Sequence, residues 1–239
     1  AGGLALNLIL IFFLKPFQNL YVILLLNFLA AILLSYRNYS RLTFFIIPIA
    51  FVLAVVYPLV DLDFISKKFL FKDQDIIFSK DTPYGSLVVT KSGEQTNFFE
   101  NGLLLFSSNN VTYNEEAVHF AMVQHPAPEE ILMISGGLSG MFDEVLKYPV
   151  RHVDYVEINP WLIEAAGKFF PKKIPEEVAL INQDARMFIR ETKKHYDVVL
   201  INLPEPATTG INRYYTNEFF SELKQKINIR EMMWITKSH

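Results

Sequence analysis

The stretch that decides the fold is ILMISGGLSGMFDEVLK, residues 131–147. It begins with a short apolar run typical of a buried strand, passes through three glycines, and continues with the apolar spacing that opens a helix. Parallel α/β sheets use this order of elements to approach a nucleotide, because glycine permits positive φ and close backbone contact. The stretch therefore predicts a nucleotide-binding loop at residues 135–140.

The flanking sequence repeats the same alternation of strand and helix. We predict strands at 130–134, 152–157, 178–182 and 197–202, separated by helices at 139–147, 160–170 and 185–193. Such alternation indicates an α/β fold with a doubly wound parallel sheet. Residues 76–107 carry two β-rich runs around KSGEQ and a second turn signal at Asn101-Gly102, which predict a small antiparallel unit of three or four strands.

The N-terminal region has the composition of a membrane segment. Residues 1–60 hold only three charged side chains, and the runs at 20–36 and 43–60 hold none. Each run is long enough to cross a membrane as a helix, which requires about 17 residues or more. A shorter apolar run at 3–14 precedes them. We predict a multi-pass membrane protein in contact with the lipid bilayer; a buried helical hairpin of a soluble protein is the alternative.

Basic residues predict the orientation in the membrane. Lys15 is expected on the same side of the membrane as the segment after the last apolar run, which carries Lys67, Lys68 and Lys72. The loop on the opposite side carries two arginines, Arg37 and Arg41. The positive-inside tendency then places the large C-terminal domain in the cytoplasm.

The chain is thus expected to divide into four parts. These are transmembrane helices at 1–60, a linker at 61–75, the β-unit at 76–110 and the nucleotide-binding domain at 111–239. The linker is amphipathic, and it either lies along the bilayer surface or forms a solvated connection.

Composition excludes several classes of site. The chain has no cysteine, which rules out disulfides and thiolate metal sites. Its net charge of −3 gives no reason to expect nucleic-acid binding. Glu115 and His119 lie one helical turn apart, but the second histidine of a zinc helix is missing. We predict no metal site.

Three positions are expected to meet at the carboxyl ends of the strands, where open α/β sheets bind ligands. They are the glycine loop, Glu157 about 20 residues later, which suits a ribose, and Asp184, which suits an adenine amino group. Asp143 and Glu144 follow the loop and would oppose a pyrophosphate but favour a sulfonium cation. The sequence therefore predicts S-adenosylmethionine or a relative rather than NAD.

With these residues, the chain from about 75 to 227 resembles the spermidine synthase (polyamine aminopropyltransferase) family, in its bacterial branch with N-terminal transmembrane helices. The matching stretches are TPYGSLVVT, NGLLLFSS, TYNEEAVHFAMVQHP, VDYVEINPWLIEAAGKFFP, NQDARMFI and LPEPATTGINRYYTNEFF, besides the glycine loop. The resemblance implies a Rossmann-like sheet of the S-adenosylmethionine methyltransferase type and a bacterial inner-membrane location. It also implies decarboxylated S-adenosylmethionine as aminopropyl donor and a polyamine or other amine as acceptor.

The resemblance assigns roles to particular residues. The residues expected to bind the donor are Gly136, Gly137, Leu138, Gly140, Glu157, Asp184 and Ala185. Those expected at the transfer site are Tyr113, Asn202 and Glu205.

Three of these positions depart from the family pattern. Leu138 stands where the family has an aspartate that holds the donor amine, and Asn202 aligns with the aspartate taken as the base. An amide cannot accept a proton from the attacking amine, whereas Glu205, at the next aspartate position, could if it turns inward. Loss of the acid at Leu138 also admits intact S-adenosylmethionine.

Three hypotheses follow. The protein is an aminopropyltransferase, a catalytically degenerate subunit of a membrane complex or nucleoside sensor, or a methyltransferase; a homo-oligomer is also open. Sheets of this type continue beyond the fourth strand, while residues 230–239 supply one strand at most. We therefore expect the domain to be incomplete at its C-terminus.

Overall fold

The computed structural model describes residues 14–37, 43–206, 208–228 and 233–235. The chain forms two compact units, Ala1–Lys72 and Asp73–His239. The first boundary therefore falls near the end of the predicted linker. The predicted β-unit and nucleotide-binding domain belong together in the second unit.

The first unit is helical. Helix α1 spans Pro16–Arg37, α2 spans Thr43–Val56, a 3-10 turn covers Tyr57–Leu59, and α3 spans Leu62–Leu70. Within the described residues, one stretch is long and apolar enough to cross a membrane, Phe17–Leu34, judged by length and composition.

Helix α2 is shorter than the run that predicted it. It holds 14 residues, because the helix gives way to the 3-10 turn before the run ends. The apolar run at 3–14 lies almost entirely outside the described residues. The multi-pass arrangement therefore remains a prediction.

The second unit begins with an antiparallel sheet of four strands, as predicted. The strands are β1 (Asp75–Thr82), β2 (Gly85–Ser92), β3 (Gln95–Glu100) and β4 (Leu103–Ser107), in spatial order β1-β2-β3-β4. Asn101 and Gly102 connect β3 to β4 with φ of 52° and 79°. Both angles lie in the left-handed region that an Asn-Gly turn accommodates.

A parallel sheet of five strands follows. Its strands are β5 (Glu130–Ile134), β6 (His152–Val156), β7 (Val178–Ile181), β8 (Val198–Ile201) and β9 (Met233–Ile235), in order β7-β6-β5-β8-β9. The helices are α4 (Val111–Met122), α5 (Met141–Val145), α6 (Pro160–Phe169), α7 (Ala185–Glu191), α8 (Thr209–Asn212) and α9 (Asn217–Lys224). This order confirms the doubly wound sheet and adds β9 beside β8.

Alternate residues of each central strand feed opposite layers of the core. In β5, Ile131 and Met133 pack with α4 and α5, whereas Leu132 and Ile134 pack with α7 and α9. Burial on both faces explains why the parallel strands read as continuous apolar runs.

A third apolar cluster joins the β-unit to the parallel sheet. Leu87 and Phe98 of the β-unit pack against Leu162 and Ala166 of α6. Because α6 follows β6, this packing brings the end of β3 beside the end of β6.

Candidate functional site

A cavity of about 330 Å³ lies at the carboxyl ends of the parallel strands. Residues that follow four of the strands contribute to its wall: Ser135 after β5, Glu157 after β6, Asp184 between β7 and α7, and Leu203 after β8. The β-unit closes the other wall with Tyr84, Glu100, Asn101 and Leu105. A cavity at this edge of an open α/β sheet is the expected place for a ligand.

Ser135 turns the chain out of β5 in an unusual conformation. Its φ is 60°, in the left-handed region that glycine prefers. Its hydroxyl donates a hydrogen bond of 3.0 Å to Oε2 of Glu157. The strand end thus directs a polar side chain toward the carboxylate of the neighbouring strand.

Glu157 is the most firmly held carboxylate of the cavity. Only 4% of the residue is exposed. Tyr155 donates its hydroxyl to Oε2 at 3.2 Å, and the backbone N–H of Asn159 donates to Oε1 at 3.1 Å, in addition to the bond from Ser135. Burial raises the pKa of Glu157 above its ordinary value, although these three bonds oppose the shift.

A second carboxylate lies close to Glu157. Asn159 donates from Nδ2 to Oε1 of Glu100 at 2.6 Å, while its Oδ1 caps α6 by accepting the N–H groups of Trp161 and Leu162. Burial also raises the pKa of Glu100. One asparagine therefore fixes both carboxyl groups and begins the helix behind them.

Asp184, which also lines the cavity, accepts hydrogen bonds through both of its carboxylate oxygens. Its Oδ1 caps α7 by accepting the N–H groups of Arg186 and Met187 at 2.9 and 3.2 Å. Its Oδ2 accepts the Tyr214 hydroxyl at 3.0 Å and pairs with Arg213. Ala185, at the first turn of α7, is buried and lines the cavity.

The glycines of the loop support the site from behind. Gly136 and Gly140 have φ of 79° and 101°. A Cβ on Gly136 would collide with the side chain of Asn202. Leu138 packs against the core of the parallel sheet and against the cluster that joins the β-unit. Leu138, Gly137 and Gly140 line a second cavity of about 150 Å³.

The acids that follow the loop lie away from the lining of the main cavity. Asp143 pairs with Lys172 at 2.5 Å beside the second cavity. Glu144 is buried and contacts His119 at 3.1 Å as well as Lys147. The negative charge that faces a ligand therefore comes from the cavity wall and not from α5.

Two of the three predicted transfer residues meet. Tyr113 donates its hydroxyl to Oδ1 of Asn202 at 2.5 Å, and Nδ2 of Asn202 contacts Sδ of Met141 at 3.4 Å. Asn202 is 4% exposed, whereas Glu205 is exposed in the loop that follows. Together with burial, the charge of Glu205 raises the pKa of Tyr215.

The predicted site residues therefore separate into groups. Glu157, Asp184 and Ala185 share the main cavity, the loop positions 136–140 lie behind it, and Tyr113 pairs with Asn202. Sequence reasoning did not find Glu100 or the bridge through Asn159. The Asn159-Pro160 pair is a helix-start signal, but its contact with Glu100 depends on tertiary packing.

Comparison with known proteins finds a matching family domain and named relatives. The spermine/spermidine synthase domain matches residues 110–235 of the chain. The polyamine aminopropyltransferase of Leptospira interrogans is 34% identical over 172 residues, which cover 68% of this chain and 34% of that protein. The polyamine aminopropyltransferase of Oceanobacillus iheyensis is 28% identical over 248 residues, covering 95% of this chain and 48% of that protein. The chain thus spans between a third and a half of the length of these two relatives.

Solved structures share the fold. A spermidine synthase in complex with the transition-state analogue AdoDATO matches with a TM-score of 0.60 and 22% identity, covering 64% of this chain and 55% of that one. Spermidine synthase from Thermotoga maritima matches with a TM-score of 0.57, also at 22% identity, covering 64% of this chain and 54% of that one. Since the family domain covers more than half of the sequence, the chain belongs to the spermine/spermidine synthase family.

Proposed function

We propose that this protein binds a sulfonium derivative of adenosine and transfers an aminopropyl group from decarboxylated S-adenosylmethionine to an amine acceptor. The observation that carries the proposal is the carboxylate of Glu157, fixed by three donors at the cavity wall. A carboxylate held in this way at a strand end is suited to accept the two hydroxyls of a ribose.

The rest of the cavity supports an adenosine ligand. Ile158 and Leu203 offer apolar walls for a purine, and Ala185 leaves room beside Asp184. The adenine amino group would share the Asp184 carboxylate with Tyr214 and Arg213. Three carboxylates line the cavity, and the two that form no ion pair, Glu100 and Glu157, disfavour a phosphate because like charges in a partly buried site repel.

Aminopropyl transfer would place specific demands on Asn202. The lone pair of the acceptor amine attacks the carbon attached to sulfur, the C–N bond forms as the C–S bond breaks, and the electron pair returns to sulfur as a neutral thioether. The new ammonium group then releases one proton. Asn202 cannot take that proton, so it passes to water or to an inward-turned Glu205. Transfer should accordingly be slow at neutral pH and faster as the acceptor amine deprotonates.

The same asparagine favours a second candidate function. Both polar atoms of the Asn202 amide already have partners, Tyr113 and Met141. A transfer site without a base is compatible with a degenerate domain that retains nucleoside binding as a subunit of a membrane complex. The leucine at position 138 keeps methyl transfer from intact S-adenosylmethionine as a third alternative.

Titration calorimetry and product analysis separate these candidates. We expect the protein to bind decarboxylated S-adenosylmethionine and methylthioadenosine, and to release methylthioadenosine when putrescine is added. No binding of these ligands or of S-adenosylmethionine would contradict both enzyme hypotheses.

Asn202→Asp tests the missing base, with Asn109→Asp at an exposed turn as the matched control. A gain of transfer in Asn202→Asp alone would show that the native asparagine limits the reaction. Product release by the unaltered protein would contradict the degenerate alternative.

We also propose that helix α1 anchors the protein in the inner membrane of a bacterium, with the large domain in the cytoplasm. Bilayer lipids would be its first partner, and other membrane subunits or a second copy would be further ones. The absence of cysteine from the chain provides a clean test. Lys173→Cys, at a highly exposed position, should resist impermeant thiol reagents in intact cells and react after lysis. Labelling in intact cells would contradict the orientation.

A further inference from the structure

Glu100 is a second acid on the wall of the nucleoside cavity that the proposed chemistry does not use. It ends β3, and the left-handed Asn101-Gly102 turn follows it at once. Asn101 in turn accepts the backbone N–H of Ser86 at 3.0 Å, which fixes the turn against β2. Asn159 holds Oε1 of Glu100 from the other side at 2.6 Å. Glu100 is therefore held in place by both the β-unit and the start of α6.

The other oxygen of Glu100 is available to a ligand. Among the described residues, no backbone or side-chain group donates a hydrogen bond to its Oε2. The residue is only partly buried and contributes to the cavity lining. A partly buried carboxylate oxygen on a cavity wall is a natural partner for a donor or a cation.

The two neighbouring carboxylates have no ion-pair partner within the described part of the chain, although Arg213 lines the same cavity. No lysine, arginine or histidine there forms an ion pair with Glu100 or Glu157, whereas Asp184 pairs with Arg213. Burial is the main cause of the raised pKa of Glu157, and three hydrogen bonds oppose it. The negative charge of Glu100 raises the pKa of Glu157 further. A cation in the cavity would relieve this repulsion.

We infer that Glu100 supplies the counter-charge for the cationic group of the bound adenosine derivative, and so selects a sulfonium ligand over its neutral thioether. The inference rests on the proposed nucleoside site and adds its charge selectivity.

A matched pair of ligands isolates the charge. Methylthioadenosine is neutral, and 5′-deoxy-5′-dimethylsulfonioadenosine differs from it by one methyl group and one positive charge. For the unaltered protein we expect tighter binding of the sulfonium compound by calorimetry. Glu100→Gln should weaken sulfonium binding about tenfold and thioether binding by no more than about twofold, as expected for one charge acting across a partly hydrated site. Glu94→Gln, in the exposed turn between β2 and β3, is the control and should change neither affinity.

A second variant separates charge from packing. Glu100→Asp retains the charge on a shorter side chain and should keep the preference for the sulfonium ligand. Equal loss of both ligands in Glu100→Gln would overturn the inference, as would no loss of either. Equal affinity of the unaltered protein for the two ligands would also overturn it without any substitution, while leaving the nucleoside site intact. If the unaltered protein binds neither ligand, the proposed site itself fails.

Discussion

Glu157→Gln should weaken nucleoside binding and change how stability depends on pH. The glutamine is almost isosteric, so the contact between Oε1 and the backbone N–H of Asn159 can persist. The other oxygen, which accepts the hydroxyls of Ser135 and Tyr155, becomes an amide NH₂ group. The variant therefore removes a charged acceptor from the point where the ribose hydroxyls are expected.

The loss of affinity can be estimated from that exchange. A hydrogen bond to a charged group contributes about 1.5–3 kcal/mol, whereas a neutral one contributes about 0.5–1.5 kcal/mol. With the acceptor replaced by a donor, we expect a loss of about 1.5–3 kcal/mol, or about 10- to 150-fold in Kd. A ligand without the diol should not detect the change, so 2′,3′-dideoxyadenosine is the matched control.

The effect on stability has a defined sign. Because burial raises the pKa of Glu157 in the folded state, the folded protein holds this proton more tightly than the unfolded chain does. The stability that this group contributes is therefore fully present below its unfolded pKa of about 4.5 and is lost as pH rises through the folded pKa. The glutamine variant has no such loss, so its unfolding free energy should improve relative to that of the unaltered protein as pH rises above that unfolded value.

Calorimetry with methylthioadenosine and urea denaturation at several pH values test both parts. The reasoning is refuted if Glu157→Gln weakens binding of the dideoxy ligand as much as binding of the diol ligand. It is refuted equally if the two proteins differ in stability by the same amount at every pH.

Two further predictions concern stability. Gly136→Ala should lower the unfolding free energy by about 1–3 kcal/mol, because the φ of Gly136 is 79° and the new Cβ collides with Asn202. Gly167→Ala, which has open space around it in α6, should be neutral or stabilising by up to about 1 kcal/mol. Thermal unfolding of both variants checks the contrast, and equal effects would contradict it. Lys194→Met should cost about 1–2 kcal/mol at pH 7, since it removes contacts of 3.0 and 2.8 Å to the buried carboxylate of Asp154. Although burial raises the pKa of Asp154, its hydrogen bonds hold it below the ordinary value, so this stability is lost as pH falls and the difference in urea denaturation should shrink toward pH 3.

Four strands of the parallel sheet, β5 to β8, could be placed from the sequence almost to the residue, whereas β9 was not placed. A strand buried on both faces, such as Val198–Ile201, appears in the sequence as a continuous apolar run, so its ends are easy to identify. The helix predicted at 139–147 was too long, because residues 137–139 form a 3-10 turn and Gly140 adopts a left-handed φ before α5 begins. Apolar periodicity does not reveal where a glycine adopts a left-handed conformation.

The site divides in the same way. Glu157 and Asp184 were identifiable because each follows a strand, and strand ends in a parallel sheet meet at one edge. Glu100 could not be identified, since its place beside Glu157 depends on packing between the β-unit and α6. The orientation of Asp143 could not be predicted from the sequence either, because its partner Lys172 lies beyond the end of α6.

Leu138 acquires a different meaning once its neighbours are known. The sequence alone presents it as a missing acid. In the structure it packs against two apolar clusters, one inside the parallel sheet and one between α6 and the β-unit. A carboxylate at this position would remove apolar packing from both clusters and so weaken the contact between them. In this chain the centre of the glycine loop therefore joins the two halves of the domain, and the negative charge of the cavity comes from Glu157 together with Glu100.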